Sequence, residues 1–233
     1  MSHEIQQLKE QVCQANLELV SHGLVTLTWG NASGLTADRS TLVIKPSGVP
    51  YRDLRPSLMI VVRVEDGRTV EGSLKPSSDT PTHCVLYRSF SGIGGVVHTH
   101  SPRATSFAQA NRPIPCLGTT HADHFYGEVP VTRTLTQAEV DSAYELNTGE
   151  VIVERFATLD PSAVPAVLVA GHASFTWGVS VHDAVHNAVA LEAVADMALA
   201  TFGLRSDTKP LDPFLLQKHY RRKHGSDAYY GQS

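Results

Sequence analysis

The stretch Gly95-Val96-Val97-His98-Thr99-His100-Ser101 joins an apolar, β-branched run to two histidines at positions i and i+2. Such a run predicts a buried strand, in which residues i and i+2 point to the same side. The two imidazoles would lie on Cα atoms roughly 6.6 Å apart, close enough to bind one ion at about 2.0–2.1 Å. Because two ligands do not complete a zinc site, the pair fits equally a hydrogen-bonded core histidine beside a solvated one.

Helical and extended patterns alternate on both sides of this strand. Strands are predicted over 25–29, 41–45, 58–64, 129–132, 166–169 and 174–177, and helices over 4–22, 80–90, 102–110, from 136 onward, 184–204 and 213–223. Thr136 and Glu139 have the spacing of a capping box at the start of the long fourth helix. The pattern predicts a single α/β domain over residues 1–233, built on a central mixed or antiparallel sheet.

Composition excludes several classes of protein. A net charge of −4 gives no broad basic surface for nucleic acid, and Arg221-Arg222-Lys223 fits a solvated helix face or a local anion contact. No apolar run approaches the 18 or so residues of a membrane span. The three widely spaced cysteines and the absence of a signal-peptide pattern favour a reducing compartment. We therefore expect a cytoplasmic protein that binds neither nucleic acid nor membranes.

Further candidate metal ligands lie outside the strand. His172 lies in the predicted turn between two strands, from which a side chain can project over a cleft. Asp79 begins a predicted helix and fits an N-cap as well as a ligand. Three imidazoles with one carboxylate suit zinc or another divalent transition metal. His182 and His186 form an i, i+4 pair that we interpret as structural, because no Glu follows the first His.

Three small-residue loops are suited to an anion. Glycine lets backbone N–H groups approach a phosphate, and Ser and Asn add neutral donors. Each loop alone is an ordinary turn sequence, but three together predict a phosphorylated small-molecule substrate. The loops are Gly30-Asn31-Ala32-Ser33, Lys45-Pro46-Ser47-Gly48 and Ser77-Ser78.

A polar cluster over residues 118–124 contains Asp123, which fits a general acid or base as well as a turn-stabilising carboxylate. Together with the other motifs it resembles the L-ribulose-5-phosphate 4-epimerase family of the class II sugar-phosphate aldolase/epimerase superfamily, almost end to end. Gly171-His172-Ala173-Ser174 departs from the Ser-His-Gly-Pro of that family but keeps the histidine. The matching motifs are Trp29-Gly30-Asn31, Lys45-Pro46-Ser47-Gly48, Lys75-Pro76-Ser77-Ser78-Asp79-Thr80-Pro81-Thr82-His83, Val97-His98-Thr99-His100, Gly118-Thr119-Thr120-His121-Ala122-Asp123, Lys218-His219-Tyr220 and Tyr229-Tyr230-Gly231-Gln232.

The resemblance implies a three-layer domain with a mainly antiparallel sheet, in a homotetramer with active sites at subunit interfaces. It implies a divalent cation, zinc or else manganese or cobalt, held by Asp79, His98, His100 and His172. It implies proton transfer by Asp123 and by Tyr230 of a neighbouring subunit. The residues implied in binding the substrate and its phosphate are Asn31, Lys45, Ser47, Gly48, Ser77, Ser78, Thr119 and His219.

The implied reaction is the metal-dependent interconversion of L-ribulose 5-phosphate and D-xylulose 5-phosphate. Because the hydrogen on C4 is not acidic, inversion there would proceed by retro-aldol cleavage of C3–C4 and re-addition to the other face of the aldehyde. The alternative is an aldolase for fuculose or rhamnulose phosphate, in which a Glu typically replaces Asp79. A non-catalytic cytoskeletal module of this fold would lack the metal residues. Arabinose catabolism and other pentose routes are both compatible with the sequence.

Overall fold

The computed structural model describes residues 3–225 and 228–229. Its helices are α1 (His3–Ser21), α2 (Thr80–Ser89), α3 (Pro102–Gln109), α4 (Thr119–Ala122), α5 (Gln137–Arg155), α6 (Val181–Leu204) and α7 (Pro213–His224). Its strands are β1 (Asn31–Leu35), β2 (Thr41–Ile44), β3 (Ile60–Arg63), β4 (Thr69–Glu71), β5 (Gly95–Thr99), β6 (Ala166–Leu168) and β7 (Ser174–Gly178). Two short 3₁₀ turns, Tyr51–Asp53 and Pro56–Leu58, precede β3.

The strands form one seven-stranded sheet in the order β4-β3-β2-β1-β5-β7-β6. Every neighbouring pair is antiparallel. The histidine-bearing strand β5 lies inside the sheet, where His98 is opposite Asn31 of β1 on one side and Phe175 of β7 on the other. The predicted α/β class with a mainly antiparallel sheet is confirmed.

Helices cover both faces of the sheet. Val96 packs in the core beneath α2 and α5, whereas its neighbour Val97 packs beneath α1 and α6, as the alternation of a strand requires. By length and composition α6 could cross a membrane, as core helices of soluble proteins also can, and it packs against β5, β7 and α3. His98 shares the face of Val96, so it looks toward α2 and α5.

Two predicted strands are wrong. Residues 25–29 form a turn, because Leu27 has φ +54°, and the following Gly30 has φ +98°. The strand starts after that turn, as β1, whose small and polar residues have low β propensity but gain pairing from β2 and β5. Residues 129–132 make isolated bridges to Ile114 and Leu168 rather than a strand, since Pro130 has no N–H to donate.

Helix α5 begins at the predicted capping box, which is present in full between Thr136 and Glu139. The helix is broken at Ala143, whose φ of −157° and ψ of 75° are not helical. The sequence did not indicate this break, nor the short elements β4 and α4. The break has a functional consequence, because it redirects the side chains that follow it toward the candidate active site.

Gly30 is required by its surroundings as well as by its φ. A Cβ there would lie 2.8 Å from the carbonyl oxygen of His98 and 2.9 Å from Val25 Cγ1. We expect Gly30→Ala to lower the free energy of unfolding by more than the about 1–2 kcal/mol of a left-handed conformation alone, because overpacking is added. Urea unfolding measures this. Gly67→Ala, at φ +72° with nothing within 4 Å, is the control, and equal losses would contradict the expectation.

Candidate active site

A cleft of about 530 Å³ opens at the end of β5. It brings together all four predicted metal ligands and six of the predicted phosphate-binding residues. The lining residues are Thr28, Trp29, Gly30, Asn31, Lys45, Ser47, Gly48, Ser77, Ser78, Asp79, His98, His100, Tyr144, Glu145 and His172. Residues from six separate parts of the chain therefore meet in one depression of the surface.

Three histidines converge in this cleft. The Nδ1–H of His98 donates to the carbonyl of Ser174 at 2.9 Å, which leaves its Nε2 as the nitrogen with a free lone pair. That Nε2 lies 3.1 Å from Nε2 of His100. With His172 included, one ring nitrogen from each residue lies within 4.8 Å of the others. A carbonyl that fixes the tautomer of a ligand histidine is the usual outer support of a metal site.

Two of the imidazoles, those of His100 and His172, have pKa values below the ordinary value of histidine, which favours the uncharged form that binds a cation. Burial, followed by the proximity of His98 and His100, lowers the pKa of His172 to about 4. Burial and His98 also lower the pKa of His100. The ring of His98 stacks on Phe175 at a centroid distance of 4.2 Å, which holds it on the wall of the cleft. Neutral, oriented imidazoles are the form that binds zinc and related ions.

Asp79 stands at the N-terminus of α2 but does not cap it. Its side chain makes no capping hydrogen bond, and its Oδ2 accepts from Nδ2 of Asn31 at 2.7 Å. Burial would raise the pKa of the Asp79 carboxyl, but His98, His83 and the Asn31 hydrogen bond outweigh burial and hold it below the ordinary value. The cleft thus contains an ionised carboxylate beside the histidines, and ligation by Asp79 stays a prediction.

Two of the small-residue loops, residues 45–48 and 77–78, are joined by backbone hydrogen bonds; they are called the serine loops below. Backbone N–H of Ser47 donates to the carbonyl of Lys75 at 2.9 Å, and that of Ser77 donates to the carbonyl of Lys45 at 3.0 Å. Asn31 donates to the Ser77 hydroxyl at 3.0 Å as well as to Asp79, so both of its N–H bonds are used. Serine hydroxyls and the Lys45 ammonium are among the donors that these contacts leave for a phosphate.

Lys45 is a buried cation, with 2% of its surface exposed. Its Nζ lies 4.8 Å from the centre of the Tyr51 ring and 3.4 Å from the carbonyl oxygen of Pro46. Burial lowers the pKa of Lys45, although the carboxylate of Asp79 acts in the opposite direction. A buried ammonium at the edge of a cleft is well placed to gain from an incoming anion.

Asp123, the predicted proton-transfer residue, is not among the described residues that line this cleft. It follows α4 and accepts hydrogen bonds from His219 at 3.1 Å and from Arg222 at 2.9 and 2.5 Å. Asp123 borders a second cavity, of about 460 Å³, whose lining includes His124, His186, Lys223 and His224. Thr119 begins α4, the short helix that precedes Asp123, and Tyr230 lies outside the described residues. The predicted site residues therefore form two separate groups within one chain.

Thr28, Tyr144 and Glu145 line the cleft, and sequence reasoning missed all three. Tyr144 and Glu145 reach it because the helix is broken at Ala143, and the Tyr144 hydroxyl lies 3.3 Å from Nδ1 of His172. No pattern in the sequence predicts a break there. His182 and His186, the i, i+4 pair that we interpreted as structural, are not part of the described histidine group that could hold a metal. The side chain of His182 is 75% exposed and lies near Glu18.

A buried polar network lies beneath the cleft and was not foreseen either. The hydroxyl of Ser33 is 2.7 Å from Nδ1 of His83 and 2.8 Å from the Tyr87 hydroxyl. Burial lowers the pKa of His83 to about 3, so the ring is neutral. The network joins β1, which carries Ser33, to α2, which carries His83 and Tyr87.

Residues 10–199 match the family described as Class II Aldolase and Adducin N-terminal domain. The chain is 51% identical over 228 residues to L-ribulose-5-phosphate 4-epimerase UlaF of Salmonella paratyphi C (strain RKS4594), covering 98% of this chain and 100% of that relative. Identity to the same enzyme of Salmonella typhi is also 51%, with the same coverage.

Solved structures have the same fold. The fold is similar to that of an L-fuculose 1-phosphate aldolase, with a TM-score of 0.78 and 21% identity over 93% of this chain and 95% of that one. It is also similar to YgbL from Klebsiella pneumoniae, with a TM-score of 0.74 and 26% identity over 93% and 99%. The chain belongs to the class II aldolase and adducin N-terminal domain family and, within it, to the L-ribulose-5-phosphate 4-epimerases.

Proposed function

We propose that this protein interconverts L-ribulose 5-phosphate and D-xylulose 5-phosphate by breaking and re-forming the C3–C4 bond. The observation that carries the proposal is the meeting of three imidazoles, a carboxylate and two serine-containing loops in one cleft, in a chain 51% identical to enzymes named for this reaction. The family also contains aldolases, but no feature of the cleft favours one of their substrates.

The residues proposed to hold a divalent cation are His98, His100, His172 and Asp79. The donor set of imidazoles and one carboxylate favours zinc, with manganese and cobalt as alternatives. When bound, the cation would act as a Lewis acid that stabilises negative charge on the ketose oxygens. The tautomer of His98 is already set for this role by the carbonyl of Ser174.

The serine loops and Lys45 are proposed to hold the phosphate at C5. Removal of the proton from the C4 hydroxyl would start cleavage, giving a three-carbon fragment and glycolaldehyde phosphate. The aldehyde must turn before it is attacked on its other face, so the loops have to retain it by its phosphate during rotation. Asp123 and Tyr230 are proposed to exchange the C4 proton, one for each epimer, with Thr119 and His219 positioning the substrate.

The separation of Asp123 from the cleft supports a site shared between subunits. We propose a homotetramer in which the cleft of one chain faces Asp123 and Tyr230 of its neighbour. The single domain would span residues 1–233, and the enzyme would be a soluble protein of the cytoplasm that serves arabinose catabolism or another pentose route.

A direct assay tests the activity. Purified protein is incubated with L-ribulose 5-phosphate, and D-xylulose 5-phosphate is followed before chelation, after chelation and after zinc or manganese is restored. We expect conversion that chelation abolishes and metal restores. No conversion by metal-loaded protein would refute the proposed function, and cleavage of other ketose phosphates would then be assayed.

Lys45→Met tests the phosphate assignment. We expect KM for L-ribulose 5-phosphate to rise about tenfold or more, because a charge-assisted hydrogen bond to the phosphate is lost. Thermal stability should not fall, because the variant removes a buried cation and keeps an apolar stem of similar length. Steady-state kinetics and thermal unfolding measure the two effects. An unchanged KM would place the phosphate elsewhere.

A further inference from the structure

The basic run Arg221-Arg222-Lys223 lies near the end of α7, and its middle residue has a definite partner. None of the described residues of α7 is fully buried. Three of its residues make four hydrogen bonds to Asp123. His219 and Arg222 bind its carboxylate, and His224 Nε2 donates to its backbone carbonyl at 2.9 Å. The helix is therefore fastened to the residue proposed to transfer protons.

The pair between Arg222 and Asp123 has the geometry of a strong ion pair. Nε donates to Oδ1 at 2.9 Å and an Nη donates to Oδ2 at 2.5 Å, so both carboxylate oxygens are engaged in parallel. The side chains are only 22% and 12% exposed, which limits screening by water. A planar, two-point contact of this kind fixes the orientation of the carboxylate in a way that a single bond cannot.

We infer that Arg222 is a positioning residue for the reaction, which holds the Asp123 carboxylate ionised and in one orientation. The inference rests on the proposed role of Asp123. His219 binds the same oxygen, Oδ1, so that Arg222 also sets the distance between the carboxylate and that imidazole. Lysine would keep the charge but not the two-point contact.

Burial of Asp123 acts against ionisation, and its neighbours oppose burial. Hydrogen bonds from Arg222 and His219, with the charges of Arg222 and Lys223, outweigh burial and hold the pKa of Asp123 below its ordinary value. Without the guanidinium the burial would remain, so the pKa should rise. The titratable and charged groups around Asp123 are Arg222, His219, Lys223 and His224 on α7, His124 beside it in the chain, and His186 and Asp183 on α6.

Arg222→Gln, Arg222→Lys and the control Arg221→Gln, an exposed arginine on the same helix, test the inference. We expect Arg222→Gln to lower kcat at least tenfold with KM near wild type. With each epimer used as substrate in turn, the acidic limb of the kcat/KM profile should move to higher pH for the epimer that Asp123 deprotonates. Arg222→Lys should recover part of kcat, and Arg221→Gln should match wild type. An unshifted limb and a wild-type kcat in Arg222→Gln would overturn the inference.

The double variant Asp123→Asn with Arg222→Gln separates this inference from the proposed function. If Arg222 acts through Asp123, adding Arg222→Gln to the Asp123→Asn variant should not lower activity further. It should also lower Tm by less in that variant than in the wild type. Equal Tm losses in both backgrounds would overturn the pairing itself, whatever the activity. A wild-type protein that fails to convert L-ribulose 5-phosphate would instead refute the proposed function, and the Tm cycle would still report on the pair.

Discussion

His100→Asn is expected to lose the bound metal and at least about a thousandfold in turnover. The residue supplies a neutral imidazole whose Nε2 lies 3.1 Å from that of His98, and Asn cannot place a comparable donor there. A Lewis acid stabilises developing charge by several kcal/mol, and each 1.36 kcal/mol is a factor of ten in rate. Metal content by atomic absorption and conversion of L-ribulose 5-phosphate measure the two losses.

The matched control is His182→Asn, which removes an exposed histidine near Glu18. It should keep its metal content and turnover, because its side chain is not part of the histidine group in the cleft. His100 follows the end of β5 and is half-buried, so its replacement should leave the sheet intact, which circular dichroism checks. Full metal content in His100→Asn would rule out the proposed ligand set.

Asp123→Asn is expected to lower turnover by about 10²–10⁴-fold, the usual contribution of a general acid or base. Metal content should stay near wild type, because Asp123 lies outside the cleft that contains the histidines. Tyr230→Phe should likewise lower turnover and keep its metal content near wild type. Kinetics and metal analysis on both variants measure the effect, and normal epimerisation by both would refute proton transfer from two sides.

The two inactive variants together test whether sites are shared. In mixed oligomers, the cleft of an Asp123→Asn chain, which has all its histidines, can face the intact Asp123 of a His100→Asn chain. Such a pair would form a complete site. For head-to-tail contacts in a closed ring, an equal mixture should regain about a quarter of the wild-type sites. Co-expression with two affinity tags isolates the mixed species. Recovery no greater than the sum of the separate variants would show that each site lies within one chain.

The sequence predicts the fold well wherever periodicity is strong. The apolar run of β5 and the spacing of His98 and His100 place two imidazoles on one side, and the structure brings His172 to them. The capping-box residues Thr136 and Glu139 likewise predict the start of α5. In each case a local pattern corresponds to a local geometric requirement, so that no knowledge of distant contacts is needed.

The errors arise where distant contacts decide. Residues 31–35 have little β propensity and are extended because strands lie on both sides, whereas the β-branched residues at 25–29 are overruled by a turn ending at Gly30. The helix breaks at Ala143, which brings Tyr144 to the cleft. No proline or glycine at that position predicts the break. Arg222 and Asp123 are 99 residues apart in the sequence, and the local charge pattern around either residue does not predict that they pair.

The cleft is assembled from segments that are far apart in the order of synthesis. His98 is held by the carbonyl of Ser174, 76 residues further along the chain, and His172 lies in the turn that precedes β7. A chain emerging from the ribosome at about 5–20 residues per second therefore carries two of the three histidines for several seconds before the third appears. With the proposed ligand set, metal binding would then require the finished sheet, because a nascent or truncated chain would lack the complete set of ligands.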